Sequence, residues 1–198
     1  MPSFREVQYY LAGLWLLICR DVRGFRFLDI TDRGLSRSFW AILWCLPPTG
    51  ISWLWWRRAF LRSMPADVDV GSLFYFRLGL IELSNWVVPF IFAGFILLFF
   101  RLEDRFSPIV VTMNWLGVPL AYINGLLLAL LFFLPDLAGL ISILMLVFTI
   151  GQVFIVARMM RMIFKGQGLM AGAMTLSLLV PSLILSEYLQ RFLDVYPA

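Results

Sequence analysis

Four apolar runs dominate the chain: Leu78 to Phe100, Pro108 to Leu134, Leu137 to Ala157 and Gly168 to Leu189, each about 20–27 residues and each fenced by charge or by Pro-Asp. About 20 apolar residues in a helix match the roughly 30 Å hydrocarbon thickness of a bilayer. Backbone groups inside lipid must be paired within the segment, so runs of this length read as helices. Composition agrees: 62% of residues are hydrophobic and 14% charged, against roughly 45–50% apolar and 25% charged in soluble domains. The spans consume most of the 198 residues, leaving no room for an added soluble catalytic domain. The expected fold is all-α, a polytopic membrane bundle of about five transmembrane helices with an N-terminal interfacial amphipathic helix.

The fifth span, first in chain order, is Phe39 to Trp56, bounded by Arg37 and by Arg57 and Arg58. Pro47-Pro48 interrupts it near the middle, and Trp40, Trp44, Trp53, Trp55 and Trp56 lie toward its two ends, where an aromatic belt places indoles. It either crosses with a kink or re-enters. Crossing is favoured, because a re-entrant loop needs protein cover for its freed backbone groups.

Residues 1–36 form an N-terminal cytoplasmic or interfacial region ahead of a transmembrane bundle at 37–198. Ser3-Phe-Arg-Glu6 has the form of a capping box, and Phe4, Val7, Leu11, Trp15 and Ile18 recur at helical spacing. Arg20, Arg23 and Arg26 follow beside Phe25, Phe27 and Leu28, as in a segment lying on anionic headgroups; the alternative is a helix packed on the bundle. Ser63-Met-Pro-Ala-Asp-Val-Asp69 and Gly71-Ser72 read as the polar connection to the next span. Placing the N-terminus inside puts the N-terminal arginines, Arg101, Arg105, Arg158, Arg161 and Lys165 on the cytoplasmic side, which supports an N-in, C-out topology, while a re-entrant first segment gives an equally good count with the C-terminus inside. No cleavable signal peptide is expected, since Val7 to Cys19 is short and lacks a small-residue cleavage site.

Histidine is absent and Cys19 and Cys45 are the two cysteines, which leaves no basis for His-based acid/base chemistry, a zinc site or a disulfide framework. No catalytic, metal or cofactor motif is expected, and the cations stand beside apolar runs rather than in a nucleic-acid stripe. The residues to watch are polar ones inside the spans. Glu82 and Glu187 sit within about two turns of an outer end, where each can reach water or pair with Arg77 or Arg191. Asn85, Asn114, Asn124 and Gln152 lie deeper and need partners, either as bonds between helices or as the lining of a polar pathway. Depth counting pairs Asn114 with Gln152 and puts Asn85 and Asn124 at another level. Pro89, Pro119 and Pro181 fit kinks or broken-helix sites. Ala121, Gly125 and Ala129, and again Gly168 and Gly172, form small-residue faces suited to close helix packing.

A short motif recurs on consecutive helices, Asn85-Trp86-Val-Val-Pro89 and Asn114-Trp115-Leu-Gly-Val-Pro119, with Arg105-Phe-Ser-Pro108 before the second and Ser36-Arg-Ser-Phe-Trp-Ala41 closing the N-terminal region. Over roughly residues 35 to 190 this pattern resembles bacterial relatives of the Yip-type family, five-helix membrane proteins named for interaction with Rab-type GTPases. The resemblance implies an N-in, C-out bundle in the bacterial inner membrane that is non-enzymatic and acts by binding partners or organising the bilayer. The acidic-Leu-Tyr-Gly-Pro segment of eukaryotic members is missing, so no GTPase partner is carried over. Membrane lipids, and a protein partner or a second copy, are the expected contacts. The other reading from the residues is a small transporter or channel using the buried amides and proline-broken helices.

Overall fold

The computed structural model describes residues 2–64 and 70–196; residues 65–69 of the expected first connection lie outside the described residues. No strand occurs among them. Seven α-helices follow one another: α1 (Phe4–Ile18), α2 (Asp32–Ser38), α3 (Ala41–Ser63), α4 (Ser72–Phe99), α5 (Phe106–Phe133), α6 (Ala138–Ile163) and α7 (Gly168–Phe192), with short 3-10 turns at Val22–Phe27, Glu103–Arg105 and Pro135–Leu137. Four helical segments, Ser72–Phe99, Glu103–Phe133, Pro135–Ile163 and Gly168–Phe192, are long and apolar enough to cross a membrane. Their outer faces carry exposed apolar side chains such as Leu169, Phe99 and Leu183, the arrangement that a lipid surround favours over water.

α3 differs. It runs unbroken for 23 residues through Pro47 and Pro48, about 34 Å at 1.5 Å per residue. The helix therefore does not turn back at the proline pair, and it continues past Trp56 through Arg57, Arg58 and Arg62 to Ser63. Pro48 is buried, and its ring occupies the space that a side chain at Gly125 of α5 would need: a Cβ there would lie 2.7 Å from Pro48 Cβ. The backbones of α3 and α5 approach closely at this point because one helix offers a ring and the other no side chain.

Register between helices follows from side-chain contacts. Ser38 meets Asn114 and Pro48 meets Gly125, so α3 and α5 run parallel. Phe39 packs on Trp86 and Phe90 while Phe60 packs on Phe74, so α4 runs antiparallel to α3. The Arg105 guanidinium donates to the Ile163 carbonyl at 3.0 Å, joining the start of α5 to the end of α6. The Trp56 indole donates to the Val195 carbonyl at 2.9 Å, joining the end of α3 to the segment after α7. The five long helices thus alternate up and down.

The N-terminal region is folded onto one end of this bundle. Ser3 and Glu6 close the capping box in both directions, and Glu6 also accepts from Arg37 at 2.8 Å. Val7, Tyr10, Leu14 and Leu17, on one face of α1, enter the same core as Trp115 of α5 and Met159 and Met160 of α6. Arg158 of α6 donates to the Ile18 carbonyl at 2.6 Å, satisfying an orphan acceptor at the end of α1. Packing on the bundle therefore takes the apolar face of α1, and the opposite face, with Phe4, Tyr9 and Trp15, is the exposed one.

Candidate functional site

The polar residues of the long helices fall into three different environments. Glu187 is exposed near the end of α7 and pairs with Arg191 one turn on, at 2.9 Å. This is the outcome expected of a carboxylate near a helix end. Glu82 has no such pair. α4 begins at Ser72 rather than Leu78, which places Glu82 about 15 Å and Asn85 about 20 Å along a helix about 42 Å long. Glu82 is therefore not a terminal residue, and the space to which it is exposed lies between helices.

That space is a cavity of about 500 Å³ to which all five long helices contribute. α4 presents Leu78, Ile81, Glu82 and Asn85, spaced i, i+3, i+4 and i+7 and hence on one face. α3 contributes Ser52, Trp53, Trp55 and Trp56; α5 contributes Asn124, Leu128 and Leu131; α6 contributes Ser142 and Met145; and α7 contributes Ser186 and Gln190. A second space of about 400 Å³ shares Trp53, Glu82 and Asn85 with the first and extends along α3 and α5 to Cys45, Thr49, Asn114 and Ala121. Asn85 and Asn124 thus face a common volume with Glu82, and Asn85 also shares the second space with Asn114, so the two levels set by depth counting are not kept apart.

Asn114 and Gln152 do not meet. Asn114 Nδ2 donates to Ser38 Oγ at 2.8 Å, and Ser38 Oγ donates in turn to the Leu35 carbonyl at 2.7 Å. Equal depth was a sound criterion for choosing among span residues, but the partner comes from α2, outside every apolar run. Gln152 is half-buried on α6 and lines neither space. The small-residue faces also divide: Gly125 meets Pro48 and Ala121 lines the second space, while Ala129 is half-buried. A Cβ at Gly168 or Gly172 would find nothing within 4 Å, so the start of α7 packs through Ala171, Met174 and Thr175 instead.

Two buried polar atoms at the cavity have no partner, Trp53 Nε1 and Asn85 Oδ1; Asn114 Oδ1 at the second space is a third. Leaving such atoms bare costs about 1–3 kcal/mol each, which water or a bound polar molecule would recover. Gln190 Nε2 is already engaged by Ser186 Oγ at 3.1 Å.

Charge is sparse. Among the described residues Glu82 is the one carboxylate lining either space, and no arginine or lysine lines them. Arg58 and Arg62 line a neighbouring recess that shares Trp55 and Leu131 with the cavity, where the Arg58 guanidinium stacks 4.7 Å above the Phe132 ring. No group of three metal-ligating side chains occurs among the described residues.

The cavity occupies one half of the bundle only. Its residues come from the C-terminal halves of α3, α5 and α7 and the N-terminal halves of α4 and α6, all at the end where Trp56 meets Val195. The other half holds the packed core of Leu97, Ile109, Val110, Trp115, Met159 and Met174, closed off by α1 and α2. The sequence reading singled out Glu82, Asn85 and Asn124 but missed Ser52, Ser142, Ser186 and Gln190. A helical spacing of small polar residues, Ser186 with Gln190 at i+4, was the available signal. Compared with known proteins, the chain matches no family model, no curated protein and no solved structure.

Proposed function

We propose that this chain is a non-enzymatic integral membrane protein of five crossings that admits a small polar solute from one side into the cavity around Glu82, as a small transporter does. α3 supplies the fifth crossing: its length of about 34 Å exceeds the roughly 30 Å hydrocarbon core, and its tryptophans and arginines suit two interfaces. With the N-terminus cytoplasmic in a bacterial inner membrane, the capped half faces the cytoplasm and the cavity faces outward. The exposed face of α1, with its aromatics and Arg5, then lies at the headgroups together with Arg23 and Arg26 of the following turn. The observation that carries the reading is the convergence of Glu82, Asn85 and Asn124 from two helices on a space walled by five. Polar side chains at that depth are expensive in a dry bundle and are retained where a pathway uses them.

The test is one-sided accessibility. In a variant lacking Cys19 and Cys45, cysteines placed at Ser142 and Ser186 should react with a membrane-impermeant thiol reagent added from the outer side of sealed vesicles, and a cysteine at Ser38 should react from neither side. Equal protection of all three positions would contradict the reading.

A second reading, the partner-binding role that a Yip-type relationship implies, draws on an apolar groove of about 300 Å³ along α4 and the start of α5. It is lined by Phe39, Val87, Phe90, Ile91, Gly94, Phe95, Leu98 and Phe106. Such a groove suits a helix or an acyl chain. Gentle extraction followed by identification of stoichiometric co-purifying proteins and lipids separates the two readings.

A further inference from the structure

We infer that the ligand of the Glu82 cavity is an organic monocation, a substituted ammonium carrying apolar groups. The inference rests on the cavity being a ligand site, and it deepens that reading by assigning the chemical class.

Four features of the cavity select this class. Among the described residues a single carboxylate, Glu82, is the only formal charge on its lining, and one carboxylate calls for one positive charge, not two. Three indoles, Trp53, Trp55 and Trp56, share the lining, and indole is the side chain with the greatest attraction for a cation over its face. Trp55 and Trp56 stand 6.0 Å apart at 47°, which presents two ring systems at an angle instead of one flat wall. Asn85 lines the same space and its Oδ1 has no hydrogen-bond partner among the described residues, so its carbonyl dipole favours a positive charge over a negative one there.

Volume and hydration argue the same way. About 500 Å³ is the size of a pocket for a drug-like molecule, not for a bare ion. A transition-metal ion would call for several His, Cys, Asp or Glu ligands around one point, and no group of three such side chains is present among the described residues. An alkylated ammonium is weakly hydrated and gives up its water at lower cost, while its carbon substituents meet Leu78, Ile81 and Leu128. An anion is the competing class, because Arg58 and Arg62 are close. They line the recess beyond Trp55 and not the cavity, and Arg58 is occupied over Phe132.

The experiment uses the full chain in lipid nanodiscs and three aromatic probes: benzyltrimethylammonium, its uncharged carbon isostere neopentylbenzene, and the anion benzenesulfonate. Binding is read by equilibrium dialysis and by quenching of tryptophan emission. The expected result is saturable binding of the ammonium at one site per chain, at least about tenfold tighter than the neutral isostere, with a loss of about tenfold or more in Glu82→Gln and a smaller loss in Trp53→Leu. The comparison of cation with isostere on the unmodified chain stands even if a variant fails to fold. Equal binding of the ammonium and its isostere, unchanged by Glu82→Gln, would overturn the inference and leave the cavity as a neutral-ligand site. Tighter binding of benzenesulfonate would overturn it in favour of an anion. Binding of none of the three, together with unreactive cysteines at Ser142 and Ser186, would remove the ligand site itself.

Discussion

Asn114 of α5 and Ser38 at the end of α2 are joined by a 2.8 Å hydrogen bond from amide to hydroxyl, and both residues are buried. This bond ties the N-terminal region to the centre of the bundle and closes the half opposite the cavity. Ser38→Ala leaves the buried Asn114 amide without its protein partner, and Asn114→Ala removes the donor to Ser38 Oγ, which keeps its own bond to the Leu35 carbonyl. Ser38→Ala and Asn114→Ala should each destabilise the protein by about 1–2 kcal/mol in detergent unfolding, with a double variant costing less than the sum. Gln152→Ala, which touches neither, should be nearly neutral. A neutral Ser38→Ala beside a costly Gln152→Ala would restore the pairing expected from depth alone.

Gly125 and Gly172 look alike in the sequence, each in an i, i+4 pattern of small residues, but their surroundings differ. A Cβ at Gly125 would press on Pro48, both on its ring and on its backbone, whereas one at Gly172 meets open space. Gly125→Ala should cost roughly 1–3 kcal/mol by forcing α3 and α5 apart. Gly172→Ala should be neutral or stabilising by up to about 1 kcal/mol through helix propensity. Thermal unfolding of the two variants side by side checks this.

Glu6 is held below the usual carboxylate range, first by the Ser3 backbone N–H and then by the Arg37 guanidinium. A depressed folded value means that the Glu6 contribution is fully present above the unfolded carboxylate value near 4.5 and is lost as pH falls through the folded value. Amide exchange of α1 should therefore lose protection, beyond the intrinsic pH effect, only as pH falls below the ordinary carboxylate value near 4.5. In Glu6→Gln the same amides should be less protected at pH 7 and should lose that extra pH dependence.

The N-terminal helix is a structural part of the bundle. Leu14 and Leu17 are buried against the main core, so Leu14→Ala or Leu17→Ala should cost about 2–4 kcal/mol, as for other buried leucines. A loss of headgroup affinity with no loss of stability would instead mean that α1 lies in the interface alone.

What could be read from the sequence was set by length and periodicity, and what could not was set by facing. The four long spans follow from apolar runs that allow only a helix in lipid. The start of α4 was placed six residues late because Arg77 interrupts an apolar stretch, Leu73 to Phe76, that continues the same helix. Pro47-Pro48 left α3 open between crossing and re-entry, since proline disrupts the preceding turn whether or not the chain then bends away. The contrast between Glu187 and Glu82 was partly visible: Glu187 has an arginine at i+4, whereas the nearest arginine to Glu82, Arg77, is five residues away and off its face. The Asn114 partner was not visible, because Ser38 belongs to a short polar helix whose entry into the bundle depends on Gly34 packing against Asp29. The cavity was legible only as a list of polar residues; bringing five helices around them is a tertiary fact.

The most direct measurement of the central claim is the water accessibility of two amide positions by spin labelling. Nitroxides attached at cysteines replacing Asn124 and Gln152, in a background without Cys19 and Cys45, are exposed in nanodiscs to a polar nickel relaxant and to oxygen. The label at position 124 is expected to be relaxed strongly by the nickel complex, because it faces a hydrated cavity, and the label at position 152, which lines no such space, mainly by oxygen. Two labels with the same oxygen-dominated profile would show the cavity to be dry and would contradict the account.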